Sequence, residues 1–211
     1  MRGVLITFEG VEGSGKSTQA QRMARRLAAL GVPCLVLCDP GGTDIGDAIR
    51  AVLLDPQYDE MHALTELFLY LASRNQLVRE KLLPGVAEGK VVILDRFSDS
   101  SMAYQGVGRK LGGKLVGRLN KLAAADLKPN LTVLVDVPVK VGQGRKRTGV
   151  LDRLEQERVE FHEQVRDGYL QLARRAPGRF KVVDGFLSAD DLERLIFCHV
   201  EELLKRKGIL K

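Results

Sequence analysis

A chain of 211 residues with 45% hydrophobic side chains can bury a sizeable core and suits a single domain, residues 1–211. No apolar run approaches the roughly 18 residues needed to cross a bilayer. The opening Met1-Arg2-Gly3-Val4-Leu5-Ile6-Thr7-Phe8-Glu9 also meets an acid too early for a secretory leader, so a cytoplasmic protein with no membrane partner is expected. A net charge of +6 suits nucleic acid or a small polyanion, but the chain has no Trp and its bases are dispersed except at Arg145-Lys146-Arg147. A phosphate-rich small molecule is the simpler partner, and no nucleic acid is expected.

In chain order, a first apolar strand runs from Val4 to Phe8, and a helical pattern follows from Ser17 to Leu30. The next strand, Cys34 to Cys38, leads into the turn Pro40-Gly41-Gly42. A long helical pattern from Glu60 to Glu88 precedes the strand Val91 to Leu94, and another helix covers Lys114 to Ala125. The strand Leu131 to Val137, a helix over Leu154 to Ala176, the strand Phe180 to Val183 and a helix over Ala189 to Lys205 complete the chain. Five short strands, apolar on both faces and separated by helices, predict an α/β, three-layer fold: a five-stranded parallel sheet with helices on both faces. Residues 142–149, where three glycines bracket the basic cluster, read as part of a small mobile lid over about 142–153.

Cys34 and Cys38 would lie about 13 Å apart along a strand, too far to bridge each other. With Cys198 they form an odd set, read as reduced thiols. His62, His162 and His199 share no metal-ligand spacing with them and read as surface or helix positions.

The chemistry is concentrated after the first strand. Gly10-Val11-Glu12-Gly13-Ser14-Gly15-Lys16-Ser17 satisfies G-x-x-x-x-G-K-[ST] between a strand and a helix, the context that a phosphate-binding P-loop needs. The glycines let the backbone approach phosphates, helix-start N–H groups point at them, Lys16 adds charge at the β- and γ-phosphates, and the Ser17 hydroxyl suits Mg²⁺. The strand ending in Asp95-Arg96 places an acid and a base in the crevice of an open sheet. Asp95 is a candidate for organising Mg²⁺ and its waters, and Arg96 for bridging phosphates with its planar fork. Arg145, Lys146 and Arg147, with Arg153 beyond, are candidates for stabilising a transferring phosphoryl group from a closing loop.

P-loops serve GTPase switches, nucleic-acid motors and small-molecule kinases. Asn120-Lys121-Leu122-Ala123 lacks the acid of a guanine-reading N-K-x-D, and a motor would need a longer chain and a strand-binding surface. A small-molecule kinase remains.

Several segments then narrow the class: Phe8 to Gln19 around the P-loop, Pro40-Gly41-Gly42-Thr43 with Arg50, Tyr70 with Arg74, and Asp95-Arg96-Phe97-Ser98-Asp99-Ser100-Ser101-Met102-Ala103-Tyr104-Gln105-Gly106. From Phe8 to about Tyr169 the chain closely resembles the thymidylate kinase family. The resemblance implies transfer of a phosphoryl group from ATP, with Mg²⁺, to dTMP, giving dTDP in dTTP synthesis. The alternatives are a P-loop kinase for another nucleoside monophosphate or a deoxynucleoside, or a nucleic-acid-dependent ATPase. Gly10 to Thr18 and Arg153 would bind ATP, and Ser17 and Asp95 would hold the metal, partly through water. For dTMP the resemblance implies Tyr70 on the thymine ring and Arg74 at its carbonyl edge, as i and i+4 on one helix face. Ser101 and Gln105 would lie near the base, Tyr104 by the sugar, Glu12 near the acceptor sugar or the metal waters, and Arg50 and Arg96 on the phosphate. Lys16, Asp95, Arg96, Arg147 and Arg145 are the catalytic candidates. With Glu12 in the P-loop, the family pattern assigns the catalytic arginine to the lid, Arg147 first and Arg145 second. A homodimer is also implied. The chain departs from the family at Cys38-Asp39, where Arg-Glu is usual, at Phe97, where Tyr is common, and at Lys140, where an acid is frequent.

Overall fold

The computed structural model describes residues 3–145 and 151–210. Five strands, β1 (Val4–Glu9), β2 (Cys34–Cys38), β3 (Val91–Asp95), β4 (Leu131–Asp136) and β5 (Phe180–Asp184), form one parallel sheet in the order β2-β3-β1-β4-β5. The P-loop strand β1 is therefore central. Its register brings Phe8 beside Asp95 and Glu9 beside Leu134, so three strand ends converge on one crevice.

Alternation along β1 divides the core. Val4, Ile6 and Phe8 join Met23 and Leu27 of α1 (Lys16–Ala29) and Leu192, Ile196 and Val200 of α9 (Ala189–Arg206). Leu5, Val92 and Leu94 face the other way, onto Leu77 and Leu82. Helices cover both faces, as the sequence predicts for strands without a polar side.

Two helical regions differ from the expectations. The Glu60-to-Glu88 pattern resolves into α3 (Ala63–Leu77), a widened π turn over Val78–Leu82, and α4 (Leu83–Ala87). Pro84 explains the change: it has no N–H to donate, and its ring presses on the preceding turn. The helix α2 (Asp44–Leu54), absent from the predicted elements, starts at Thr43, whose Oγ1 accepts from Gly46 N at 3.0 Å. Asp44 and Asp47 in its first turn complement the helix dipole.

After β3 come α5 (Ser98–Ser101) and a second widened turn over Met102–Gly108. Beyond these lie α6 (Gly113–Ala123), α7 (Val139–Arg145) and α8 (Val159–Arg175). The expected lid begins inside α7, and Gly142 there packs on the P-loop: a Cβ on Gly142 would lie 2.2 Å from Glu12 O, and one on Gly13 would lie 2.0 Å from Gly142 O. Arg147 and Lys146 lie outside the described residues.

Cys34 and Cys38 are half-buried free thiols on β2, and Cys198 is exposed on α9. No helix among the described residues is long and apolar enough to cross a membrane.

Ile6 is fully buried in the central strand. Ile6→Ala should therefore lower the unfolding free energy by ~2–5 kcal/mol, the range for truncating a large core aliphatic. Urea denaturation with an unchanged m-value checks it, and a loss under half a kilocalorie would contradict this packing.

Candidate active site

The P-loop folds as its sequence requires. Gly13 (φ 68°) and Gly15 (φ 97°) occupy left-handed conformations that side chains disfavour. Gly15 caps α1 without a side-chain acceptor, so the first-turn N–H groups are available to an anion. Gly13 to Gln19 line one wall of a cavity whose far side includes Arg145, Gly185 and Leu187. Arg145 also donates to Gly185 O at 3.0 Å, so the second lid candidate lies at the donor-side cavity. Gly10 and Val11 are buried behind the loop, Val11 against Val137 and Val139.

A second cavity adjoins the first, and Lys16 and Ser17 line both. Glu12, Arg50, Tyr70, Asp95, Arg96, Ser101, Tyr104 and Gln105, gathered from five separate segments, line the second. Arg50 of α2 reaches Pro40 O at 2.7 Å, which fixes its aliphatic stem along the rim.

Arg96 organises this cavity. Its backbone is left-handed at φ 69°, a strained conformation for a residue with a side chain, and its N–H donates to Phe8 O at 2.9 Å. Arg96 Nη2 donates to Glu12 Oε1 at 2.5 Å and to Tyr104 Oη at 3.2 Å; Nη1 donates to Tyr169 Oη at 2.9 Å and to Ser100 Oγ at 3.3 Å. Glu12 also accepts from Tyr104 Oη at 2.7 Å. Burial opposes the Glu12 charge, but Arg96, Lys16 and the Tyr104 hydrogen bond outweigh it and bring the carboxyl from 4.5 down to about 2. Glu12 is thus an anion at any working pH, and it holds the arginine at the mouth of the P-loop.

Behind this pair sits Glu9, fully buried, accepting from Phe97 N at 2.9 Å, Ser100 Oγ at 2.6 Å and Tyr169 Oη at 3.0 Å. Burial first, then the Asp99 charge, pushes its carboxyl from 4.5 up to about 7, against the lowering by Ser100, Arg96 and Tyr169. Two carboxyls three residues apart therefore differ widely in acidity, because only Glu12 touches the arginine directly.

Arg74 is 1% exposed and forms part of the frame. It donates to Asp39 Oδ2 at 2.5 Å, Ser101 Oγ at 2.9 Å, Asn120 Oδ1 at 2.5 Å and Phe97 O at 3.3 Å. A guanidinium has five N–H donors, so at most one is left for the thymine edge that the family resemblance implies. Asp39 supplies the buried counter-charge where the family usually has Glu, so the shorter acid retains a structural partner. Cys38, replacing the usual Arg, lines the cavity as a neutral side chain.

Arg153 is not among the described residues that line the P-loop cavity. It is 4% exposed and donates to Leu53 O at 2.9 Å and to Glu66 Oε2 at 2.8 Å, behind the second cavity. Thr18 lines the first cavity. Residues that the sequence reading left unassigned include Glu66, Ser100, Asn120, His162 and Tyr169. Ser100 stands inside the Asp95-to-Gly106 segment, and Asn120 entered only as part of a failed guanine motif. His162 is a helix position but not a surface one: it is 3% exposed, with Nδ1 3.9 Å from Glu12 Oε2.

The Asp95 carboxyl is consistent with a metal. Its Oδ1 is buried without a hydrogen-bond partner in the cavity that Ser17 and Lys16 also line, as a ligand of a hydrated divalent ion would be. Among the described residues no cluster of three or more His, Cys, Asp or Glu could hold a metal alone. Mg²⁺ would fit such a place, since it keeps most of its water and draws other ligands from phosphates.

A phosphate loop whose lysine and serine serve two adjoining cavities defines a P-loop phosphotransferase with separate donor and acceptor sites. The profile of thymidylate kinases matches residues 8–196. The thymidylate kinase of Geobacter sulfurreducens is 48% identical over 190 residues, 87% of this chain and 89% of that one. That of Carboxydothermus hydrogenoformans is 50% identical over 186 residues, covering 88% and 90%. The crystal structure of thymidylate kinase from Ehrlichia chaffeensis superposes with a TM-score of 0.79 at 29% identity, over 95% of this chain and 99% of that one. The chain belongs to the thymidylate kinase family.

The raised acidity constant of Glu9 has a consequence for stability. A carboxyl that titrates near 7 when folded and near 4.5 when unfolded favours the fold fully below pH 4.5 and loses that contribution as pH rises through 7. Glu12 acts in the opposite sense: its contribution is fully present above pH 4.5 and is lost as pH falls through about 2, outside the window that tests Glu9. Between pH 5 and 8 the unfolding free energy of wild type relative to Glu9→Gln should therefore decline, as urea titrations at stepped pH would record. A flat difference across that window would refute the assignment.

Proposed function

We propose that the chain transfers the γ-phosphoryl group of MgATP to dTMP, with ATP in the P-loop cavity and dTMP in the adjoining one. The observation that carries this reading is that Lys16 and Ser17 line both cavities, so a phosphate from each side would meet over the same two residues. In-line transfer needs that proximity more than it needs a base. The acceptor phosphate, with a second pKa near ~6, is already largely a dianion at neutral pH.

In this reading Tyr70 offers its ring to thymine, with Ser101 and Gln105 beside the base and Tyr104 against the sugar. Arg50 and Arg96 hold the acceptor phosphate. Arg96 arrives pre-aligned by Glu12 and Tyr169, which lowers the ordering cost at the moment of reaction. Lys16 takes the β- and γ-phosphates, and Arg145 or Arg147 neutralises charge spreading over the moving group. Ser17 and Asp95 would hold Mg²⁺, which supplies further charge neutralisation on the phosphates when bound. The product dTDP places the enzyme in dTTP synthesis, in the cytoplasm.

A homodimer belongs to the same proposal. Ile45 and Val52 of α2 and Phe68 of α3 are exposed apolar side chains on two helices that pack together beside the acceptor cavity. Their burial against a second copy would cover the patch.

Lys16→Ala should lower kcat by ~100-fold or more while far-UV circular dichroism stays unchanged. A coupled ADP-release assay with ATP and dTMP measures it, and turnover near wild type would end the kinase reading of this loop. In sedimentation the chain should run at twice its own mass, and Phe68→Glu should shift it to the monomer. A wild-type monomer at micromolar concentration would remove the dimer.

A further inference from the structure

Glu66 on α3 is fully buried, does not line the acceptor cavity, and collects donors from three side chains. Gln105 Nε2 donates to its Oε1 at 2.8 Å, and Arg109 Nη2 and Arg153 Nη2 donate to its Oε2 at 2.9 Å and 2.8 Å. Arg109 is itself braced by Glu157 at 2.6 Å. Burial works against the Glu66 charge, but the hydrogen bonds from Arg109 and Gln105 and the charges of Arg109 and Arg153 outweigh it, so the carboxyl stays below its ordinary value. Glu66 is an anion with lone pairs only.

That fact decides the orientation of a neighbouring amide. A glutamine can present either its NH₂ or its carbonyl, and two flipped orientations often compete. An ionised carboxylate accepts only, so it can bond only the NH₂ end of Gln105. Gln105 is 1% exposed and lines the acceptor cavity with Tyr70 and Ser101. With Nε2 turned onto Glu66, the end left for the cavity is Oε1, an acceptor.

We propose that Glu66 is a positioning residue for base selection: by holding the Gln105 amide in one orientation, it makes the acceptor cavity accept a base whose ring nitrogen carries a proton. Thymine presents such an N–H at N3. Cytosine presents a lone pair there, which would face the lone pair of Oε1 with no donor between them. Refusal of the wrong base then comes from an unsatisfied buried acceptor, a stronger discriminator than shape. Arg109 and Arg153 act one step further back, by keeping Glu66 ionised. The inference rests on dTMP occupying this cavity.

The test compares kcat/KM for dTMP and for dCMP in wild type, Glu66→Gln, Gln105→Met and the double variant. A glutamine at 66 can donate as well as accept, so Gln105 becomes free to flip. Glu66→Gln should lower the dTMP-to-dCMP ratio by roughly tenfold or more, the size of one misplaced buried hydrogen bond. In the Gln105→Met background the same change should leave the ratio unaltered, because the effect passes through the amide. If Glu66 only supports the fold, Glu66→Gln would lower both substrates together and keep the ratio, which overturns the proposal. If Gln105→Met leaves both the ratio and the KM for dTMP at wild-type values, the cavity is not the base site, and the failure lies in that earlier reading.

Should Glu66→Gln not fold, wild type decides. Its Gln105 side-chain NH₂ protons, identified in ¹⁵N-edited spectra by their loss in Gln105→Met, should be protected from solvent exchange both free and with dTMP bound. Exchange at the rate of a free amide in the dTMP complex would overturn the proposal.

Discussion

The site is built around one ion pair, Glu12 with Arg96. It joins the middle of the P-loop to the end of β3, and so fixes the two phosphate-handling segments relative to each other. A buried pair of this kind contributes little net stability, since desolvation offsets most of the attraction. Its value lies in geometry. Arg96 is strained in its backbone and held through its side chain by Glu12, Tyr104, Ser100 and Tyr169, contacts that over-determine the conformation. The strain is sustained because the surrounding sheet is rigid: β3 lies between β1 and β2 with both faces covered.

From that pair outward, the acceptor cavity is a set of arginines held in place by acids. Arg74 is set by Asp39 and Asn120, and Arg153 and Arg109 by Glu66. This bears on the positive net charge. The arginines at and behind the cavity, Arg74, Arg96, Arg109 and Arg153, are matched to Asp39, Glu12, Glu66 and Glu157, so these pairs cancel in the total. The excess of +6 comes from the other residues of the chain, and long-range attraction of anionic nucleotides is its natural consequence.

The sequence made the sheet legible because its strands are apolar on both faces, a pattern that parallel strands produce and few other elements do. It made the P-loop legible because glycine spacing, lysine and serine are each demanded by phosphate geometry. It failed at α2, although Thr43 with Asp44 and Asp47 was a readable cap, because Gly46 and the β-branched Ile45, Ile49 and Val52 are weak helix formers. The Glu60-to-Glu88 pattern did not show its own division into two helices, because hydrophobic periodicity survives a widened turn. The surroundings of Arg153 were not legible for a different reason. Its nearness in sequence to a basic cluster suggested phosphate, and only the fold reveals that a buried acid eighty-seven positions earlier reaches it first.

Glu66 illustrates why such residues escape sequence reasoning. An acid on the first turn of a helix reads as a dipole partner on a solvated face, and α3 begins only three residues before it. Its function depends on three side chains from two distant segments that converge on it after folding. The residues that line the cavity are conspicuous because their types suit a base. The residue that sets their hydrogen-bonding sense is not, because a carboxylate acts here by what it cannot do: it cannot donate. The contacts that orient the side chains of this cavity therefore stand one layer behind its wall, where burial makes each donor and acceptor costly to leave unmatched.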